Sequence, residues 1–184
     1  MARIILTGSQ GTGKTTVLNM FKAAGYPVIT EVVRNLHKNK GIAINEQGNE
    51  ISQDMIWNEY KRLLGESSDY VSDRGLTDVL AYSMAGYQRG RVPEHTLMVE
   101  YCDLVDFVKE NPDIKWIYFP IEFAVVNDGV RSTNEDYRQE VDLNIKTLLD
   151  NAEIQYLMVH GTPQERFEQI CEYIGDPKLS YNKE

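Results

Sequence analysis

The sequence has little cysteine and little histidine: two cysteines, Cys102 and Cys171, and three histidines. Both cysteines lie in segments with a helical apolar pattern, so we expect each to be a small buried hydrophobic side chain rather than a disulfide partner or a nucleophile. The histidines stand at no zinc-binding spacing with one another or with the cysteines. Neither a disulfide framework nor a zinc site is therefore indicated.

Long apolar runs are also missing, since no window approaches the roughly 18 apolar residues that a membrane span needs. The apolar run near residue 5 is too short for the core of a signal peptide, and we expect a cytoplasmic protein. Basic residues are scarce relative to acidic ones, at 19 against 28, which gives a net charge of −9. This balance disfavours a surface that follows a nucleic-acid backbone or anionic lipid, so neither is an expected partner.

The composition is otherwise ordinary for a globular protein, with 42% apolar and 26% charged residues among 184. That length suffices for one domain with a sizeable core and is too short for two of ordinary size. We predict a single domain over residues 1–175 and a polar tail over residues 176–184. The sequence leaves the oligomeric state open, a homodimer included.

One motif is complete: residues 8–15 match the phosphate-binding loop pattern G-x-x-x-x-G-K-[ST]. An apolar run of strand size precedes the motif and a helical pattern follows it, which is the context that its mechanism requires. Glycines let backbone N–H groups approach a polyphosphate, while Lys14 would reach the β- and γ-phosphates and the Thr15 hydroxyl would bind the bridging Mg²⁺. ATP and Mg²⁺ are thus the predicted cofactors. The predicted nucleotide-binding residues are Gly8, Gln10, Gly11, Thr12, Gly13, Lys14, Thr15 and Thr16.

Five strand-like runs alternate with helical patterns along the chain, which predicts a three-layer parallel α/β domain with helices on both faces of the sheet. In such sheets ligands bind outside the carboxyl ends of the strands. Glu31 and Arg34 follow the second predicted strand, and Asp73 and Arg74 follow the third. We expect these four side chains to hold an acceptor substrate, and Asp73 to orient Mg²⁺ or a hydroxyl. Solvated surface charges and an ion pair that braces a turn are the competing interpretations.

Two arginines, Arg131 and Arg138, flank the start of a helix predicted near Asn134. On a closing lid of about residues 122–138, they could neutralise a transferring phosphoryl group and exclude water. Helix charges paired with Glu135 or Asp142 would explain the same spacing.

An aromatic stripe lies on a helix predicted over residues 53–64. Trp57 and Tyr60 of this stripe, together with Met55, could stack on a substrate base or ring, although such a stripe is more often core.

The whole chain resembles the small P-loop kinases of the nucleoside and nucleotide kinase group, most closely the AAA-type ATP-binding domains akin to the nicotinamide-riboside kinase domain. The resemblance rests on residues 8–16, 28–34 and 72–82, and on residues 128–131 before a helix that contains Tyr137 and Arg138. It implies a P-loop NTPase sheet of order 2-3-1-4-5 and transfer of the ATP γ-phosphate to a hydroxyl or a phosphate.

The resemblance also implies roles for individual residues. A proton acceptor or sugar anchor maps onto Glu31, contacts to substrate and phosphate map onto Asp73 and Arg74, and lid arginines map onto Arg131 and Arg138. We therefore predict catalytic roles for Lys14, Glu31, Asp73 and Arg131, with Glu31 or Asp73 as the base. Gly75 departs from the serine or tyrosine that typical deoxynucleoside and thymidylate kinases have at this turn, so the base or sugar bound is not indicated.

The leading hypothesis is an ATP- and Mg²⁺-dependent kinase that acts on a small nucleoside-like or nucleotide acceptor. Two other hypotheses stay open. One is a nucleotide-dependent switch that regulates a partner. The other is a kinase whose acceptor hydroxyl belongs to a nucleic acid, against which the acidic composition counts.

Overall fold

The computed structural model describes residues 2–122 and 134–175. Its five strands are β1 (Arg3–Thr7), β2 (Val28–Ile29), β3 (Tyr70–Asp73), β4 (Lys115–Tyr118) and β5 (Tyr156–Met158). Its helices in these ranges are α1 (Lys14–Ala23), α2 (Val32–Lys40), α3 (Glu50–Glu66), α4 (Leu76–Gln88), α5 (Glu94–Glu110), α6 (Glu135–Asn151) and α7 (Pro163–Ile174). Among these helices none has the length and apolar content to cross a bilayer.

The strands form one sheet in the order β2-β3-β1-β4-β5, and all neighbouring pairs are parallel. The predicted three-layer α/β class and strand order are both confirmed. Because β1 lies in the middle, its carboxyl end at Thr7 is flanked by the ends of β3 and β4, in register with Asp73 at Leu6 and with Tyr118 at Thr7. The loop that follows β1 therefore opens at the centre of the sheet edge where ligands bind in such folds.

Two hydrophobic cores cover the two faces of the sheet. Successive strand side chains point to opposite faces, so Ile4 and Leu6 join α1 and α7 in one core, whereas Ile5 joins α3, α4, α5 and α6 in the other. All three of these β1 side chains are fully buried. Burial of both faces explains why the central strand is continuously apolar and not alternating.

Local sequence signals determine where several helices begin. Asn49 caps α3 and pairs with Ser52 in a reciprocal capping box. At α7, Thr162 accepts a hydrogen bond from the Glu165 backbone N–H, the Glu165 carboxylate accepts one in return, and Pro163 occupies the first turn. The predicted start of this last helix is confirmed, with the N–H groups of Thr162 and Glu165 each bound by a side-chain oxygen.

The cysteine prediction is wrong for Cys102. This side chain is exposed on α5, next to the equally exposed Met98 and Val99, whereas Cys171 is partly buried against the core beside α1. The apolar pattern of α5 is broader than the face that the fold covers, so periodicity alone could not place Cys102.

The aromatic stripe of α3 is mainly core. Trp57 and Tyr60 are both buried, and the Trp57 indole N–H donates to Asp103 of α5. The Tyr60 hydroxyl reaches the strand edge, where it donates to the backbone carbonyl of Asp73 at 3.0 Å. This hydrogen bond joins α3 to the functional end of β3.

A buried carboxylate, Glu100, lies in the interior beside α4. Its side chain is 2% exposed, and neither carboxylate oxygen has a hydrogen-bond partner among the described residues. Burial is the main reason why the pKa of Glu100 is raised to about 7, and the charges of Asp54 and Asp103 add to the increase. Between its ordinary pKa of 4.5 and the raised pKa of about 7, the Glu100 carboxyl is therefore protonated in the folded protein and ionised in the unfolded chain.

The Glu100→Gln substitution should change how stability depends on pH. As the pH rises from 5 to 8, the unfolded chain loses the Glu100 proton more readily than the folded protein does. The free energy of unfolding of the wild type should therefore fall by roughly 2 kcal/mol relative to that of the variant. Urea unfolding of both proteins at the two pH values measures this difference. Glu110→Gln, at the exposed end of α5, is the control and should show no such trend. A constant difference for Glu100→Gln would contradict the assignment.

Candidate active site at the carboxyl edge of the sheet

The phosphate-binding loop connects β1 to α1 and depends on an unusual backbone conformation at its first residue. Gly8 has φ of 141°, and a Cβ atom built on it would collide with the backbone carbonyl oxygen of Phe119, just after β4. Gly13 also has a positive φ, 90°, at the position that caps α1. The loop thus turns tightly into the N-terminus of α1, a position suited to anions.

Lys14 is the first residue of α1 and is 4% exposed. Its ammonium group folds back over the loop and donates to the Gly8 carbonyl at 2.6 Å, to the Ser9 carbonyl at 2.7 Å and to Thr12 Oγ1 at 3.1 Å. A buried ammonium needs such partners, because desolvation without them is costly. The cation is therefore held at the loop, where a polyphosphate would meet it.

Two side-chain oxygens that could bind a metal ion, those of Thr15 and Asp73, meet beside Lys14. The Thr15 hydroxyl donates to Asp73 Oδ2 at 2.8 Å, although the two residues are 58 positions apart in the chain. Asp73 is the last residue of β3, and the Tyr60 hydroxyl holds its backbone carbonyl. Hydroxyl and carboxylate oxygens are ligands that Mg²⁺ accepts together with water and phosphate, so this pair fits a magnesium site.

Asp78, in the first turn of α4, is a site residue that the sequence analysis missed. It is 1% exposed and accepts hydrogen bonds from the Gly8 N–H at 3.2 Å and from the Gly75 N–H at 3.1 Å. Burial raises the pKa of this carboxyl, while Arg74 and Lys14 oppose the increase. The residue three places after a helix cap often bonds back to the cap, which was the available signal, but the bond to Gly8 spans 70 residues.

A pocket opens next to the loop between α2, α3 and α4. It is lined by the four residues that the sequence predicts to hold the acceptor substrate: Glu31, Asp73, Arg34 and Arg74. Thr15 and Gln10 of the phosphate-binding loop line the same pocket, as does the buried amide of Gln53. The fold therefore brings the four predicted acceptor residues together and places them beside the loop.

Two of these residues have strained backbones. Glu31 (φ 60°), two residues after β2, and Arg74 (φ 88°), directly after β3, adopt left-handed conformations. Such conformations cost on the order of 1–3 kcal/mol each for residues other than glycine and tend to occur at functional sites. Glu31 pairs with Arg34 across 3.5 Å, and the Arg74 guanidinium lies 5.3 Å from the centre of the Tyr82 ring and 3.6 Å from Asp78.

The remaining predicted residues divide into three cases. Arg138 is 1% exposed and donates from Nε to the Gln10 carbonyl at 2.8 Å, so it contacts the back of the loop. Thr16 is exposed on α1. Arg131 and most of the predicted lid lie outside the described residues.

A further arginine that the sequence analysis did not single out, Arg166 of α7, donates to the Thr12 carbonyl at 2.6 Å.

A glycine-rich loop between the central strand and the first helix, with a lysine, a threonine and a facing aspartate, defines a P-loop NTPase domain. The family model described as "AAA domain" matches residues 3–166, and the chain belongs to that family. None of the curated proteins matches the sequence significantly.

Solved structures with the same fold have low sequence identity to this chain. Deoxyadenosine kinase from M. mycoides with bound dATP is 16% identical, with a TM-score of 0.72 over 96% of this chain and 100% of that one. NadR protein in complex with NR is 14% identical, with a TM-score of 0.73 over 95% of this chain and 52% of that one. Shikimate kinase from Aquifex aeolicus is 18% identical, with a TM-score of 0.57 over 98% and 97% of the two chains.

The Gly8→Ala substitution should destabilise the protein by about 2–4 kcal/mol, because the new methyl group meets the Phe119 carbonyl and the φ angle is unfavourable for alanine. Urea unfolding measures the loss. Gly65→Ala is the matched control: a Cβ there meets open space near the end of α3, so this variant should be unchanged or gain up to about 1 kcal/mol. Equal effects at the two positions would refute the close approach at Gly8.

Proposed function

We propose that this protein is an ATP- and Mg²⁺-dependent kinase that transfers the γ-phosphate to a hydroxyl or phosphate group of a small nucleoside-like or nucleotide acceptor. The observation that carries the proposal is the 2.8 Å hydrogen bond between Thr15 and Asp73, made at the edge of a pocket that also contains Glu31. This contact supports the proposal because a metal site at Thr15 and Asp73 would lie beside both the phosphate-binding loop and the pocket. Phosphoryl transfer between two small molecules needs these three parts within one site.

On the nucleotide side, the loop N–H groups and Lys14 would bind the phosphates, and Thr15 with Asp73 would hold Mg²⁺. When bound, the metal supplies positive charge that offsets the charge of the transferring group. The protein's own contribution is orientation: Tyr60 fixes Asp73, and Asp78 fixes Gly8. Both of these partners are buried, so water competes little for their hydrogen bonds.

On the acceptor side, the two candidate bases differ in their surroundings. Asp73 Oδ2 already accepts the Thr15 hydroxyl, which supports a metal role for Asp73. Glu31 faces the pocket with Arg34 as its described ion-pair partner. We therefore assign Glu31 as the group that orients the acceptor hydroxyl and takes its proton, because a general base must reach the attacking group directly.

The pocket's cations suit an acceptor near a charged phosphoryl group. Arg34 and Arg74 stand on the acceptor side, and the guanidinium of Arg74 is held between Asp78 and the Tyr82 ring. Planar guanidinium groups often bind phosphate oxygens with two parallel hydrogen bonds. The assignment of Arg131 as a lid cation remains a prediction from the sequence.

Two of the proteins with this fold, the deoxyadenosine kinase and NadR, support a nucleoside-like acceptor, whereas shikimate kinase shows that the fold also serves other acceptors. The deoxyadenosine kinase was solved with bound dATP, and NadR was solved with NR and, separately, with NAD and AMP-PNP. The pocket of the present protein has apolar walls from Val32, Ile56 and Val79 beside its charged edge. Such a division suits a molecule with a flat apolar part and a polar sugar-like part.

A panel of nucleosides, ribosides and nucleoside monophosphates, incubated with ATP and Mg²⁺, tests the proposal. One member should be phosphorylated, and Lys14→Ala should slow that transfer by at least about a hundredfold, because the lysine charge stabilises the transferring group. Mass spectrometry of the acceptor measures the product. Full transfer by Lys14→Ala would contradict the mechanism. ATP hydrolysis stimulated by a protein partner, with no phosphorylated small molecule, would instead support a nucleotide-dependent switch.

The assignment of Glu31 as base and Asp73 as metal ligand has its own test. Glu31→Gln should lower kcat by about a hundredfold or more with little change in the Mg·ATP KM. Asp73→Asn should raise the Mg²⁺ concentration needed for half-maximal rate by roughly tenfold or more. Steady-state kinetics across a Mg²⁺ titration separate the two effects. The roles are reversed if Asp73→Asn abolishes turnover at saturating Mg²⁺ while Glu31→Gln remains active.

A further inference from the structure

Five consecutive carbonyl groups of the phosphate-binding loop accept hydrogen bonds from cationic side chains. The Lys14 ammonium group donates to the carbonyls of Gly8 and Ser9. Arg138 donates from Nε to Gln10 at 2.8 Å and from Nη2 to Gly11 at 3.4 Å. Arg166 donates from Nη1 to Thr12 at 2.6 Å. Lys14 belongs to the loop itself, whereas Arg138 and Arg166 reach the carbonyls of residues 10 to 12 from α6 and α7.

The two arginines are buried at a cost that their own helices do not explain. Both side chains are 1% exposed, and both lie in the first turn or just after it, in α6 and α7. A positive charge near a helix N-terminus opposes the helix dipole, so neither arginine is placed to stabilise its helix. The described carboxylate partners are Glu135 at 3.2 Å for Arg138 and Glu122 for Arg166.

The geometry of the peptide bond gives these contacts a consequence for the opposite side of the loop. Within a planar trans peptide the C=O and the following N–H point in opposite directions. The carbonyls of Gln10, Gly11 and Thr12 point toward the arginines of α6 and α7. The N–H groups of residues 11, 12 and 13 therefore point away from these arginines. The Ser9 hydroxyl also donates to the backbone carbonyl of Arg138 at 2.8 Å, which ties the loop to α6 a second time.

We infer that Arg138 and Arg166 are positioning residues that hold the phosphate-binding loop in its anion-binding conformation from behind, without contacting the acceptor. This inference rests on the proposed binding of Mg·ATP at the loop, and it gives Arg138 a role different from that of an acceptor-binding lid arginine. The two helices thereby preorganise the loop before nucleotide arrives.

Binding of Mg·AMP-PNP by isothermal titration calorimetry tests the inference in the full-length protein. Arg138→Met and Arg166→Met should each weaken binding by about tenfold or more, since each removes charge-assisted hydrogen bonds to the loop. Arg138→Lys should also weaken binding, because one ammonium cannot replace the planar guanidinium fork at two carbonyls. Arg89→Met is the matched control: it removes an arginine paired with Glu140 of α6 that touches no loop carbonyl, and its affinity should equal that of wild type.

The readouts separate a positioning role from the other roles. With the acceptor found by the panel, the Mg·ATP KM should rise in the arginine variants while the acceptor KM stays unchanged. Undiminished Mg·AMP-PNP affinity in folded Arg138→Met and Arg166→Met would overturn the inference, as would a rise confined to the acceptor KM. If circular dichroism shows that Arg138→Met does not fold, the Mg·AMP-PNP affinity of Arg138→Lys tests the role of Arg138 instead. Failure of the wild-type protein to bind Mg·AMP-PNP would instead overturn the proposed function.

Discussion

The orientation of the peptide groups in the loop after β1 is the constraint on which the candidate site depends. A polyphosphate can be bound away from water only where N–H dipoles already converge, since reorienting them at binding would cost part of the affinity. In this protein the carbonyls of that loop have cationic partners and the Gly8 N–H has a carboxylate partner, Asp78. Helices α4, α6 and α7 therefore all contribute to a conformation whose residues lie in eight consecutive positions.

The acceptor side is built by a different means. Glu31 and Arg74 have left-handed backbones at the ends of adjacent strands, where the chain turns abruptly from strand to helix. The strain is tolerated because the neighbouring residues are firmly held: Leu76 and Ile5 are fully buried, and the Arg74 N–H bonds to the Leu6 carbonyl. A rigid sheet edge can thus present charged side chains in conformations that an isolated turn would avoid.

Much of the fold followed from patterns that act over short distances. Strand and helix alternation predicted the layers, and the capping sequence at Thr162 predicted the start of α7. The strand order came from a resemblance, because periodicity does not encode which strands become neighbours. The exposure of Cys102 was predicted wrongly for a related reason: an apolar stripe shows which faces of a helix can be buried, and the neighbouring elements decide which of them is buried.

By itself, the sequence determined the phosphate-binding loop, since eight contiguous residues contain both its geometry and its lysine, and it determined that charged residues follow the second and third strands. Only the tertiary structure decided which distant groups support that loop. Asp78, Arg138 and Arg166 reach it across 70, 128 and 154 positions of the chain. The physical reason is that such contacts depend on how helices pack on the sheet, and packing joins residues whose spacing in the sequence carries no periodic signal.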